Sequence, residues 1–231
     1  MTKIKPHTVG SYVHVIKRGA RGLEIVRNEN DRWRFLKLLF YLNNDNYRNE
    51  KWENELFKSK IPLFEWPNSW PKREKLVEVA AYTLMPNHFH LLLRELKENG
   101  VSVFMQGLCG SMTLYFNEKY NERGSLFQGI YKKRLVDTDE YLRHVVIYIM
   151  VKNSFELYPG GLDKAIRNFD RAWEKSLNYN FSSLADYGSN RKSSIVDKGL
   201  LNDLFPTPKK FKEFAKDTML GRKINELGFF E

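Results

Sequence analysis

Apolar and polar positions along the 231-residue chain alternate with two different periods. Residues 11–16, SYVHVI, alternate and are rich in β-formers, which predicts a first strand. A glycine-punctuated basic turn, KRGARG, comes next. Residues 28–31 supply cap residues for a helix over DRWRFLKLLFYL, with Trp33, Leu36, Phe40 and Tyr41 on its apolar face and Lys37 outside it. LVEVAAYTLM (76–85) is apolar enough for a central strand. After Pro86 and Asn87, HFHLLLREL resumes as another, a strand–turn–strand unit. VSVFMQGLCGSMTLYFNEKY carries Phe104, Leu108, Met112 and Phe116 at helical spacing. NERGSLFQGIYKKRLV reads as a loop and a short strand. DTDEYLRHVVIYIMVKN is a second strong helix, capped by Asp137 or Thr138. Past Pro159 the pattern predicts loops, then a basic helical tail over residues 208–228. Residues 42–74 break the periodicity. They are polar, with three Trp and three Pro, and read as an inserted excursion whose Trp52, Phe64, Trp66 and Trp70 either fold over the core or form a platform for DNA, the first being favoured.

Composition narrows the class. Hydrophobic residues make up 42% and aromatics 14%, enough for a packed core. The 38 Lys and Arg against 28 Asp and Glu leave a net charge of +10, which favours a polyanionic partner such as nucleic acid. Basic residues cluster at Lys17, Arg18 and Arg21, at Lys132, Lys133 and Arg134, and at Lys209, Lys210 and Lys212. The one cysteine, Cys109, gives neither an internal disulfide nor a zinc cluster, consistent with a reducing, cytoplasmic setting. No apolar run has the length of a membrane span, and no P-loop, GxGxxG, GxSxG or HExxH motif occurs.

The chemistry concentrates in YTLMPNHFHLLL, residues 82–93. Strand side chains alternate faces, so His88 and His90 project together while Phe89 and Leu91 point away. Two imidazoles on one face can hold one divalent cation, with a third ligand or phosphate oxygens completing the site. On the second strong helix, Tyr141, His144, Val145, Tyr148 and Lys152 share a face that could meet those histidines. Tyr115 and Tyr120 compete with Tyr148 as nucleophile on spacing alone.

The segment YTLMPNHFHLLL closely resembles the His-hydrophobic-His strand of the HUH superfamily, and within it the REP-associated single-tyrosine transposases. SYVHVIKRG is similar to that family's opening strand and Arg-Gly turn. GSLFQG is similar to its Gly-x-Leu-Phe-Gln-Gly loop, and FSSLADYG to its Trp-Ser-Ser-Tyr segment, with Phe181 replacing the tryptophan. The likeness spans residues 10–40 and 75–205. It implies an α+β, ferredoxin-like antiparallel sheet with packed helices over residues 1–205, interrupted by the 42–74 insertion, and a separate tail over 206–231. It implies that His88 and His90 hold Mg²⁺ or Mn²⁺. The family's Tyr-Ile-x-x-Asn-Pro helix aligns with YIMVKN, which makes Tyr148 the nucleophile. The implied activity is cleavage and rejoining of single-stranded, hairpin-forming DNA through a 5′-phosphotyrosine link, by a monomer or homodimer. Arg18, Lys132, Lys133 and Arg134 would track the DNA backbone.

The chain departs from that family at the position four residues after the nucleophile. An Asn or Gln there usually completes the metal site, whereas here it is Lys152, whose ammonium has no lone pair. Asn153, the next ligand candidate, is turned by about 100° around an α-helix. Either Asn153 rotates in as the ligand, or water takes its place, or Lys152 touches the scissile phosphate, or the chain is a domesticated DNA-binding protein that no longer cuts. A phosphodiesterase that uses water is the reading from another class.

Overall fold

The computed structural model describes residues 8–45, 52–59 and 61–221. Parts of the expected excursion (46–51 and 60) and of the expected tail (222–228) lie outside the described residues.

Four strands form one sheet: β1 (Tyr12–Arg18), β2 (Val77–Leu84), β3 (His88–Glu95) and β4 (Lys132–Val136), in the order β2-β3-β1-β4. All three pairings are antiparallel. With α1 (Glu29–Tyr41) between β1 and β2, and α3 (Gly100–Tyr120) between β3 and β4, the chain order is βαββαβ, the ferredoxin-like arrangement. This α+β class agrees with the sequence reading.

Helices α1 and α3 cover one face. Val13 and Val15 of β1 and Phe89, Leu91 and Leu93 of β3 meet Phe35, Leu39, Phe104 and Leu108 there. A reciprocal capping box starts α1: Asn28 accepts from the Asp31 amide, while Asp31 accepts from the Asn28 amide. Asp31 also anchors α3 by accepting from Lys119 and Tyr120. Gly100 begins α3 because a Cβ there would collide with the Leu76 carbonyl oxygen. The buried face of α1 is wider than predicted, since Phe35, Leu38 and Leu39 are buried as well. The excursion packs on the end of the same helix. Its helix α2 (Trp52–Ser59) stacks Trp52 on Tyr41, and Phe64 packs edge-on against Phe40. The excursion thus caps α1, on the side of the sheet away from the paired histidines.

The second face is covered by one interrupted helix and the shorter helices after it. Helix α4 (Asp139–Ile147), capped by the Thr138 hydroxyl, runs into a π-helical turn (Tyr148–Lys152) and then α5 (Asn153–Glu156). The segment beyond Pro159, expected as loops, is instead helical: α6 (Gly161–Arg167), α7 (Phe169–Leu177), α8 (Leu184–Gly188) and α9 (Leu200–Leu204). In α7, Phe169, Ala172, Trp173 and Ser176 are buried at helical spacing, a short stripe that brings its own packing face. The tail helix α10 (Pro208–Leu220) buries Phe211, Ala215 and Met219 in this second core. Of the tail lysines, Lys212 is paired with Asp170 of α7.

Strand β2, expected to be central, is an edge strand; β3 and β1 are central. It is nonetheless buried because residues 181–197 lie along its outer edge. The Leu84 amide donates to the Phe181 carbonyl, Ser183 to Tyr82, and Asp197 to Val79. Covering an edge in this way removes its unpaired backbone groups and allows it to be apolar.

Candidate active site

The histidines sit where alternation places them. Cross-strand pairing matches Arg18 with His88 and Ile16 with His90. The same face of β1 carries His14, and of β4 carries Lys132 and Arg134, opposite Ile16 and His14. Lys133 falls on the other face, opposite Val15, and Lys17 is buried on that side over the Phe127 ring. Two of the proposed basic clusters therefore split, as period-two strands require. Arg18, Lys132 and Arg134 share the histidine face.

His14 was not singled out in the sequence, yet it is central. It is fully buried, its Nε2 lies 3.1 Å from His90 Nδ1, and the two rings stack at 5.3 Å. The alternation of SYVHVI gives its face. Its proximity to His90 arises only from the β1–β3 register.

Tyr148 begins the π turn and presses edge-on against both rings, with centroids 5.4 Å from His90 and 6.0 Å from His14. Tyr115 and Tyr120 are on α3, across the sheet, where both hydroxyls reach Asp31. They are not near the histidines. Lys152 lies over the Tyr148 ring at 4.9 Å and is bridged to Glu156 at 2.6 Å.

The π turn settles where Asn153 points. Its backbone N–H reaches five residues back to the Tyr148 carbonyl. The carbonyl of Ile149 is left outside the regular ladder, and it accepts from Thr83 Oγ1 at 2.7 Å and from Asn153 Nδ2 at 3.3 Å. The Asn153 amide nitrogen is thus engaged on its own helix, which leaves its Oδ1 as the atom that could face a ligand. Lys152, not Asn153, stands beside Tyr148.

The imidazoles are held neutral. Burial, with the Arg134 charge adding to it, pushes His14 down to about 3. Burial and the charges of Arg18 and Lys152 push His88 down to about 4. His90 lies well below its ordinary value, first through burial, then through His14, His88, Lys152 and Arg18. An unfolded histidine titrates near 6.5, so between that value and the folded ones the unfolded chain binds more protons. Their contribution to stability is complete above pH 6.5 and is lost as pH falls. For the metal-free protein, urea melts should show a loss of roughly 2 kcal/mol per buried histidine from pH 7 to pH 5. A flat profile over that interval would contradict neutral burial.

This donor chemistry suits a divalent ion. His88 Nδ1 donates to Asn87 Oδ1 at 2.7 Å, and the Asn87 amide is oriented by donating to the Gly22 carbonyl. His90 Nδ1 faces His14. Each ring has Nε2 left over. No group of three or more His, Cys, Asp or Glu side chains suited to a metal occurs among the described residues. A cavity of about 430 Å³ opens beside this turn, between Pro86, Arg32, Ser154, Tyr158 and Tyr179. No described helix is long and apolar enough to cross a membrane.

Comparison with known proteins gives three findings. No curated protein matches the chain. A solved structure, "Structure of the REP associates tyrosine transposase bound to a REP hairpin", is similar at 12% identity with a TM-score of 0.46, over 81% of this chain and 85% of that one. Residues 45–152 match the family model described as transposase, IS200-like. That stretch, just under half of the chain, contains the paired histidines, β4 and Tyr148.

Proposed function

We propose that this protein cuts and rejoins single-stranded DNA through Tyr148. The observation that carries the reading is the edge-on contact of the Tyr148 ring with His90, which joins a nucleophile on a helix to a metal-binding pair on a strand.

In the proposed step, the Tyr148 phenolic oxygen attacks a backbone phosphorus. A new P–O bond forms to tyrosine, and the P–O bond to the 3′ oxygen breaks. The phenolic proton is given up, and the departing 3′ oxygen takes one up as a hydroxyl. A 5′-phosphotyrosine remains, still a diester, so a DNA 3′-hydroxyl can reverse the step and reseal a strand without a nucleotide cofactor. Mg²⁺ or Mn²⁺ held by His88 and His90 would supply charge neutralisation at the phosphate and polarise it. Beyond these two imidazoles, the remaining positions would fall to water and phosphate oxygens, as Mg²⁺ sites commonly have them. Arg18, Lys132 and Arg134 line the same face and suit a DNA backbone. Hairpin-forming single strands are the proposed substrate, and the cavity at Pro86 has room for an unpaired base.

Lys152 favours a second reading. An ammonium paired with Glu156 occupies the place of a metal-ligating amide, which fits a hairpin-binding protein that no longer cuts. Labelled single-stranded DNA from the flanks of the protein's own gene, incubated with Mn²⁺ and run on a denaturing gel, separates the two. A protein-linked band supports strand transfer. A gel shift without such a band, and its appearance in Lys152→Asn, supports the second reading.

A further inference from the structure

We infer that His14 accepts the Nδ1 proton of His90, and so holds His90 in the tautomer that leaves its Nε2 lone pair free for a ligand. The inference deepens the proposed function and rests on His90 being a metal ligand there; the proton itself can be read out on metal-free protein.

His14 Nε2 and His90 Nδ1 stand 3.1 Å apart, in buried and nearly parallel rings. At that separation the two nitrogens share one proton, since two lone pairs or two N–H groups would repel. Two arrangements satisfy this. If His14 donates, His90 must carry its own proton on Nε2 and can ligate nothing there. If His90 donates, its Nε2 is a lone pair. The neighbouring ligand candidate decides between them. His88 also turns its Nδ1 to an acceptor, and that acceptor is unambiguous, because the Asn87 amide nitrogen is engaged with the Gly22 carbonyl. Both rings of the pair then offer Nε2, which is what a shared cation requires. The anchor is rigid: His14 and His90 are diagonal neighbours across the β1–β3 ladder, and the register of those strands fixes their separation. His14 is not itself a ligand of the same ion, because the nitrogen near His90 is occupied by the shared proton. It is a positioning residue.

Two measurements test this. Long-range ¹H–¹⁵N spectra of the metal-free wild-type protein should show His90 protonated at Nδ1 and bare at Nε2. Mn²⁺ titration should then show His14→Phe, which keeps ring volume without an acceptor, binding about 10- to 100-fold more weakly than wild type. His14→Gln, whose amide oxygen can accept, should recover most of that loss. Hairpin DNA should still shift with both variants. A proton on His90 Nε2 in the wild type, or a folded His14→Phe that binds Mn²⁺ within twofold of wild type, would overturn the assignment. Should His14→Phe fail to fold, the wild-type spectrum alone decides. Wild-type protein that shows the Nδ1 proton but binds no Mn²⁺ supports the assignment and defeats the metal reading of the site.

Discussion

Tyr148→Phe should reduce covalent DNA–protein adduct by at least about a thousandfold, because it removes the oxygen that forms the link to phosphorus. The substitution removes one oxygen and keeps the ring. The edge contacts with His14 and His90 and the Lys152 ammonium over the ring all remain available. Loss of a hydroxyl's hydrogen bonding costs about 1 kcal/mol, so the variant should fold and still shift hairpin DNA. The readout is a labelled, protein-linked band on a denaturing gel with Mn²⁺, wild type beside variant. A full-strength band from Tyr148→Phe would move the nucleophile elsewhere. Tyr115 and Tyr120 are held at Asp31 across the sheet, so Tyr141, under Arg134, would be the next to change.

The largest effect on stability is expected from Phe89→Ala. Phe89 is fully buried between the two histidines in sequence but on the opposite face, against Phe35 at 5.1 Å and Phe127 at 5.9 Å. Removing a buried phenyl ring costs about 3–5 kcal/mol through lost transfer energy and the cavity left behind. Domains of this kind have only about 5–15 kcal/mol in total, so the variant should unfold at much lower urea. The link to function is mechanical. Phe89 seats the strand that aims His88 and His90, so weakened Mn²⁺ binding should accompany the lost stability. A loss below about 1 kcal/mol would mean that α1 and α3 close over the gap, and that they do not hold β3 as tightly as their packing implies.

What could be read in the sequence was local. The alternation in HFHLLL put His88 and His90 on one face, and the helical stripe from Phe104 to Phe116 was buried as expected. The alternation of KKR could also have separated Lys133 from its neighbours. What could not be read depended on distant partners. His14 gains its meaning from a strand 76 residues away. Strand β2 looks central because residues 181–197, far along the chain, cover its edge. The π turn leaves no periodic signature over five residues, and without it the side chain of Asn153 has no assigned direction. Helix α7 is the contrary case: its stripe was present but short, between glycines and asparagines that suggested loops.

The π turn has one more consequence. A single extra residue in a helix advances everything beyond it by about 100°. Up to Tyr148 the helix is phased to address the sheet. From Asn153 onward it is phased to bury Phe155 against Phe169. The turn therefore works as an angular offset between two halves that answer to different partners, one to the strand of the paired histidines and the other to the helical layer. Deleting one residue within Tyr148–Lys152 would heal the helix by every local criterion of geometry. It would also force a choice between aiming the tyrosine and seating the layer, since a straight helix cannot satisfy both.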